Sequence, residues 1–213
     1  MLFNTIDFAL FFPIVFTIYW LLNSRSIRFR NAFVLVSSYF FYGWWDWKFL
    51  FLIALSTVLD FSLGLFLGRA SKAISRKVLV AISLIANIGL LGFFKYYNFF
   101  VESFKEAYSF LGGSLSTSSL EIVLPVGISF YTFQTLSYTL DIYRRQIEPS
   151  KNLISFAAFV SFFPQLVAGP IERASNLLPQ FLTKKVFSYS DSTDGLRQIL
   201  WGLFKKIIIA DTC

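Results

Sequence analysis

Residues 124–145, with the sequence LPVGISFYTFQTLSYTLDIYRR, carry the side chains best suited to a buried polar site. The segment is long enough to cross a bilayer, yet hydroxyl, amide and carboxyl groups lie among its aromatic rings. A buried polar group costs roughly 2–7 kcal/mol unless it is hydrogen-bonded. Polar groups at membrane depth commonly serve a function. Hydrogen-bonding to a substrate and lining a polar passage are the chemistries that such groups suit.

If this segment is a helix, its polar residues divide between two faces, at about 100° per residue. One face holds Gly127, Tyr131, Gln134, Tyr138 and Asp141. The other face holds Thr132, Thr135 and Thr139. A threonine hydroxyl in a helix can bond the carbonyl four residues earlier, so we interpret the threonines as structural. For the other face, a polar helix–helix contact and a polar channel both stay open.

The composition indicates the elements that position this segment. The chain has 213 residues, of which 56% are hydrophobic and 15% charged, and its mean hydropathy is +0.63. Soluble domains are nearer 45–50% apolar and about 25% charged. The apolar runs are continuous, whereas a transmembrane barrel would alternate apolar and polar residues. We predict an all-α integral membrane protein with about five to seven spans or re-entrant segments and interfacial amphipathic helices.

Charge and residue usage exclude several chemistries. The net charge of +7 does not indicate nucleic-acid binding, because the basic residues recur between apolar runs, as the positive-inside rule describes. The sequence has no histidine, which removes histidine bases and histidine metal ligands. Its one cysteine, Cys213, excludes an internal disulfide and a cysteine zinc cluster. We therefore predict no metal site.

The apolar runs predict the order of the elements. Spans are expected at residues 6–22, 32–43, 49–67, 78–94 and 124–145, with an amphipathic surface helix at 98–111. The first run is expected to be retained, since it has no signal-peptide cleavage pattern. A further run, 152–167, is broken by Pro164, so its helix should end early or re-enter. Residues 177–195 are a predicted connector, and an amphipathic helix capped near Asp194 is predicted at 195–209.

The basic residues predict an orientation. Arginines and lysines follow the first, third and fifth spans, so one side of the membrane receives every strongly basic loop if the N-terminus lies outside. Asp60, near the end of the third span, is expected to be hydrogen-bonded close to the inner interface. Glu172 and Arg173, beside the broken run, are expected to pair locally or to contact a substrate.

Three ordered motifs carry a family resemblance. They are residues 124–145, then SFFPQLVAGPIER at 161–173, then GLRQILWGLFKKIIIAD at 195–211. Together they resemble the membrane-bound O-acyltransferase family, most closely its bacterial alginate O-acetyltransferase branch. The resemblance covers nearly the whole chain, which we expect to be the N-terminal part of one such membrane domain.

The resemblance implies an enzyme that surrounds a tunnel through the bacterial cytoplasmic membrane. Members move an acyl group from a cytoplasmic donor, such as acetyl-CoA or another acyl carrier, to a hydroxyl group. In this branch the acetyl group is used for polysaccharide O-acetylation, usually with a periplasmic acetyltransferase partner. The family's catalytic histidine lies in its C-terminal half, so we assign no catalytic residue here and expect residues 1–213 alone to be inactive.

The matched motifs and the polar face supply candidates for shaping the tunnel. They are Pro125, Ser129, Tyr131, Gln134, Tyr138, Asp141, Gln165, Pro170 and Arg173. The acceptor polysaccharide is left open. The alternative functions are D-alanyl transfer to teichoic acid by a related branch and a non-enzymatic transporter or flippase subunit.

Overall fold

A computed structural model describes every residue except 24, 111–123, 126, 167, 168, 171 and 211–213. The helices are α1 (Ile6–Asn23), α2 (Ile27–Asp46), α3 (Leu50–Arg69), α4 (Ala73–Phe110), α5 (Ile128–Tyr143), α6 (Leu153–Val160), α7 (Phe163–Leu166), α8 (Ala174–Leu182) and α9 (Tyr189–Phe204). A 3₁₀ turn, Trp47–Phe49, joins α2 to α3, and a π-helical turn, Lys205–Ala210, follows α9. The described residues contain no strand, and the predicted all-α class is confirmed.

Three helical stretches are long and apolar enough to cross a membrane: Ile6–Asn23, Ile27–Arg69 and Ala73–Phe110. The second stretch contains both α2 and α3. Asp46 has an extended backbone (φ −156°, ψ 113°), and its carboxylate accepts the Lys48 N–H at the turn. The start of α2 and the end of α3 lie at the same end of the bundle, as described below. The chain therefore reverses direction at the turn between the two helices. Helix α5 has only 16 residues, so its crossing of the bilayer stays a prediction.

Predicted boundaries are wrong for four helices. Helix α2 begins at Ile27 rather than residue 32, because the Ser26 hydroxyl caps it by accepting the Phe29 N–H. Helix α4 continues without a break through the expected surface helix at 98–110, because no proline interrupts it, and it is roughly 57 Å long. Residue 111 lies outside the described residues.

The other two boundary corrections concern the C-terminal elements. Helix α8 occupies the first part of the predicted connector and buries Ala174, Leu178 and Phe181. Helix α9 begins six residues before the predicted start, since Ser188 rather than Asp194 supplies the cap by accepting the Asp191 N–H at 3.2 Å. Among the described elements, α9 contacts only the π-helical turn that follows it.

The basic turns gather at one end of the bundle, which we call the basic end. Arg76 is buried and donates to the carbonyls of Leu67 (2.7 Å), Ile142 (3.0 Å) and Tyr143 (2.9 Å). These carbonyls lie at the C-termini of α3 and α5, where backbone acceptors lack partners within the helix and a cation is favoured. Arg76 therefore joins three helices at the basic end.

The starts of α2 and α6 lie at the basic end as well. The Asn31 side-chain amide donates to the Ser155 hydroxyl (2.9 Å) and to the Phe181 carbonyl (2.6 Å). The loop between α5 and α6 passes close to the end of α3, since a Cβ on Gly68 would lie 2.5 Å from Pro149. The α1–α2, α3–α4 and α5–α6 connections are thus brought together, as the charge pattern predicted.

A buried polar cluster connects the middles of α3, α4 and α5. Asp60 is fully buried, and its carboxylate accepts from the Ser83 hydroxyl (2.6 Å), the Asn87 amide (2.7 Å) and the Thr139 hydroxyl (3.3 Å). The expectation that Asp60 is hydrogen-bonded is confirmed. Its expected position near the end of the span is wrong, because it lies halfway along α3.

The cluster also corrects the interpretation of the threonine face. Thr135 bonds within its own helix, to the Thr132 carbonyl (3.1 Å), but it also lies 3.4 Å from the Asn87 side-chain oxygen. Thr139 does not bond its own helix and contacts Asp60 instead. The threonine face of α5 is therefore its docking face against α3 and α4.

A glycine lets α3 approach α5 closely. A Cβ on Gly64 would lie 2.6 Å from a ring carbon of Tyr138, whose hydroxyl is held by the Ser150 N–H at 3.0 Å. Because the ring is fully buried and hydrogen-bonded, it has little freedom to move away.

We expect Gly64→Ala to destabilise the protein by about 1–3 kcal/mol, the usual cost of overpacking a core. The matched control is Gly92→Ala in α4, where nothing lies within 4 Å of a Cβ. There the higher helix propensity of alanine should leave stability unchanged or raise it by up to about 1 kcal/mol. Thermal unfolding of the detergent-solubilised protein measures both, and equal melting temperatures would contradict the close approach.

We expect Asp60→Leu to lower stability by about 2–4 kcal/mol, since Ser83 and Asn87 each lose an acceptor at roughly 1–3 kcal/mol apiece. Ser62→Leu on the same helix is the control, because the Ser62 hydroxyl bonds only the Val58 carbonyl of its own helix. The measurement is the fraction of protein that survives heating as a monodisperse peak. If the two variants survive equally, the cluster does not hold the three helices together.

Candidate functional site

Helix α5 begins at Ile128, and the described residues immediately before it are not helical. Pro125 is buried and non-helical, and Gly127 adopts a left-handed backbone conformation with φ 78°. A Cβ on Gly127 would lie 2.6 Å from the Leu166 carbonyl oxygen of α7. Only glycine combines that backbone conformation with so close an approach, so this position fixes the start of α5 against α7.

Gln134 connects α5 to the broken helix. Its side-chain amide donates to the Phe159 carbonyl in the last turn of α6 (2.8 Å) and lies 3.4 Å from the side-chain oxygen of Gln165 in α7. The Gln165 amide in turn donates to the Pro170 carbonyl at 3.0 Å. The structure therefore links three of the predicted site residues in one chain of hydrogen bonds.

The predicted early end of the helix at 152–167 is confirmed. Helix α6 ends at Val160 and α7 begins at Phe163. Pro164 has no N–H group and cannot continue the hydrogen-bond ladder of α6. The freed Phe163 N–H is accepted by the Ser38 hydroxyl of α2 at 3.3 Å. The break brings Gln165 opposite Gln134.

The other aromatic and acidic candidates on this face are buried. Tyr131, Gln134 and Tyr138 are at most 1% exposed, so the described residues pack closely around them. The Tyr131 hydroxyl and one carboxylate oxygen of Asp141 are buried without a hydrogen-bond partner. Buried polar atoms without partners are rare in folded proteins. This face is thus polar beyond what its packing satisfies, and its role in lining a tunnel stays a prediction.

The remaining candidates lie at its edge. Ser129 is partly buried, while Pro170 and Arg173 are exposed. Arg173 precedes α8, and its carbonyl accepts the N–H groups of Asn176 and Leu177 at 3.0 and 3.1 Å. The Ser137 hydroxyl of α5 accepts the Ala174 N–H at 3.2 Å, so it ties the start of α8 to the same face.

Sequence reasoning missed a buried pair at the start of α2. Arg30 and Asn31 are 2% and 1% exposed, although the predicted span began only at residue 32. The three arginines at residues 25–30 indicated a loop, so the start of the helix was not predicted. The signal that indicates it is Ser26, a favoured N-cap residue immediately before the helix.

The amide side chains at this site can hold and orient a molecule, but they are unsuited to proton transfer. Amides such as Gln134 and Gln165 donate and accept hydrogen bonds but do not take up a proton near neutral pH. The described residues contain no group of three or more acidic or cysteine side chains that could hold a metal ion. The arrangement fits a wall that positions a polar substrate.

Comparison with known proteins gives the site a family context. The chain is 38% identical over 206 residues to the probable alginate O-acetylase AlgI of Pseudomonas aeruginosa and 39% identical over 207 residues to that of Pseudomonas putida. It is 33% identical over 240 residues to the peptidoglycan O-acetyltransferase of Helicobacter pylori. These matches cover 95%, 95% and 99% of this chain and 38%, 41% and 45% of the relatives. No family model and no solved structure matches it.

The chain thus spans about two fifths of the length of the curated relatives it matches. The resemblance seen in the three motifs is confirmed by several relatives at once. Over at least 95% of its own length, this chain is similar to proteins named as alginate O-acetylases and to one named as a peptidoglycan O-acetyltransferase.

Proposed function

We propose that the protein acts, with the remainder of such an enzyme, in transferring acetyl groups to sugar hydroxyls of a cell-surface or extracellular polysaccharide. One observation carries the proposal: relatives named for alginate and for peptidoglycan both match at least 95% of this chain at 33–39% identity. Alginate and peptidoglycan are different polymers, but both offer sugar hydroxyls. Their shared chemistry is ester formation on such a hydroxyl, and the polymer itself is left open.

The reaction needs a donor, an acceptor and a base. We propose a thioester donor on the cytoplasmic side, acetyl-CoA or another acyl carrier. The acceptor oxygen attacks the acetyl carbonyl, the carbon–sulfur bond breaks, and the thiol leaves as the ester forms. A base must take the hydroxyl proton, and donors must stabilise the developing oxyanion. Since these 213 residues contain no histidine, we expect the base from the family's histidine elsewhere in the protein.

Helix α5 would supply part of the wall along which the acetyl group passes. Its Gln134–Gln165 hydrogen bond offers amide groups halfway along the bundle, and the buried Tyr131 hydroxyl and Asp141 oxygen have capacity for another partner. The amide and hydroxyl groups can hold a polar acyl donor or acceptor by hydrogen bonds. The other tunnel-lining candidates would extend this wall.

We further propose that the protein lies in the bacterial cytoplasmic membrane with its N-terminus outside and the basic end in the cytoplasm. The gathering of the basic turns at one end supports this orientation. Helix α5 then runs from the outer side to the cytoplasm. A second acetyltransferase on the outer side would be the partner that passes the acetyl group to the polymer. The names of the relatives favour acetyl transfer over D-alanyl transfer or substrate flipping.

Expression of the complete gene and its co-transcribed partners should restore base-labile acetate to the polysaccharide of a host whose own membrane O-acetylase is deleted. The acetate is measured after mild alkaline release, with an empty vector as the baseline. If the polymer gains D-alanine esters instead of acetate, the choice of acyl group is wrong. Normal insertion of the protein with no ester of either kind would overturn the transferase proposal.

We expect Gln134→Leu to reduce acetate per molecule of inserted protein by about tenfold, because the Phe159 carbonyl and Gln165 lose a partner at roughly 1–3 kcal/mol. Gln198→Leu is the matched control, since Gln198 is exposed and bonds only Asp194 in its own helix. Membrane insertion is quantified in parallel by immunoblot. Equal acetylation by the two variants would show that the Gln134 contact serves packing alone.

A further inference from the structure

A half-open cavity of about 250 Å³ lies between α1, α2, α8 and the break between α6 and α7. Its inner walls are apolar and are formed chiefly by Phe12, Val15, Phe16, Val34, Phe162 and Leu177. The polar groups lie towards the basic end, where Arg30, Trp20 and Lys185 line the same cavity. The cavity is thus polar at one end and apolar along its length.

Arg30 is a buried cation without a buried counter-charge. Its side chain is 2% exposed, and its hydrogen bonds reach only neutral oxygens at long distances: Asn31 Oδ1 (3.3 and 3.4 Å), Asn23 Oδ1 (3.4 Å) and the Phe181 carbonyl (3.5 Å). The Tyr19 ring lies 5.6 Å from the guanidinium carbon. No carboxylate of the described residues pairs with it. Burying a charge is costly unless it is paired, so Arg30 retains the capacity to bind an anion.

Two more uncommitted groups in this cavity are donors. The indole Nε1 of Trp20 is buried without a hydrogen-bond partner, and indole can only donate. Lys185 is partly buried, and within the described ranges no acidic side chain contacts its ammonium group. The Asn31 amide, by contrast, is already used by Ser155 and Phe181. The cavity therefore offers donors and positive charge, and it requires an acceptor.

We propose that this cavity binds one anionic phospholipid. The phosphate would lie against Arg30 and Lys185 at the basic end, the Trp20 N–H would meet a phosphate or ester oxygen, and an acyl chain would follow the apolar wall towards Phe12. The charge complementarity carries this choice of occupant, since a zwitterionic headgroup would bring a third cation to a site that already holds Arg30 and Lys185. Anionic lipids are also attracted to basic membrane-proximal segments. The proposal is independent of acetyl transfer.

The test uses the protein from its complete gene, purified in a non-ionic detergent and depleted of lipid. Dioleoyl phosphatidylglycerol or dioleoyl phosphatidylcholine is titrated in mixed micelles while the melting temperature is followed. Phosphatidylglycerol should raise the melting temperature saturably, and phosphatidylcholine should not. Lys185→Gln should raise the half-saturating concentration of phosphatidylglycerol by about tenfold, the usual effect of losing one charge-assisted hydrogen bond.

Lys184→Gln is the matched control, because Lys184 is exposed, adjacent in sequence and absent from the cavity lining. It should titrate like the unaltered protein. Trp20→Phe retains an aromatic ring but removes the N–H donor, so it tests the Trp20 contact without changing Arg30 or Lys185. It should also raise the half-saturating concentration of phosphatidylglycerol. Equal stabilisation by the two lipids, or equal effects of Lys184→Gln and Lys185→Gln, would overturn the site. Displacement of the lipid by soluble acetyl-CoA would assign the cavity to an acyl donor instead and would also overturn it.

Discussion

The fold depends on one feature: α5 is polar on both sides, and hydrogen bonds on both sides join it to the surrounding helices. Helix α5 is buried between α3 and α4 on one face and α6, α7 and α8 on the other. Asp60 and Asn87 meet the threonine face, while the amide chain through Gln134 meets the opposite one. Polar contacts between membrane helices are modest, about 0.6–2 kcal/mol each, but leaving such groups unpaired costs more. The hydrogen bonds therefore specify which helices surround α5 and in which register.

Different contacts hold the helices together at the two ends of the bundle. At the basic end, arginine side chains reach across to the carbonyls of neighbouring helices, as Arg76 does for α3 and α5. At the opposite end, backbone comes close to backbone, as Gly127 does against Leu166. A cationic end suits contact with the phosphate groups of a membrane surface. Close backbone contact at the other end leaves no space for side chains between the helices. The two ends of α5 thus differ in charge and in how closely the neighbouring backbone approaches.

Hydropathy and breaker residues predict much of the fold because they act locally. The apolar runs place α1 and α3 within two residues of their observed bounds, and Pro164 marks the break between α6 and α7. The wrong boundaries occur where charge was taken for a loop, as at Arg30, or where an aromatic, charged stretch was taken for a helix end, as in α4. The site residues were predicted by type, but their partners were not. Thr139 and Asp60 are 79 residues apart, and no periodic pattern indicates that contact.

The sequence separations within these contacts bear on the order of assembly during synthesis. Asp60 bonds Ser83 and Asn87, 23 and 27 residues later, so an α3–α4 hairpin can satisfy the carboxylate as soon as both helices are inserted. Arg76 contacts the Leu67 carbonyl within the same hairpin, but its other partners, Ile142 and Tyr143, follow 66 and 67 residues later. Until α5 is synthesised, only the contacts of Arg76 within the hairpin can form. Once α5 is inserted, Arg76 holds its C-terminus against the α3–α4 hairpin by donating to the carbonyls of Ile142 and Tyr143.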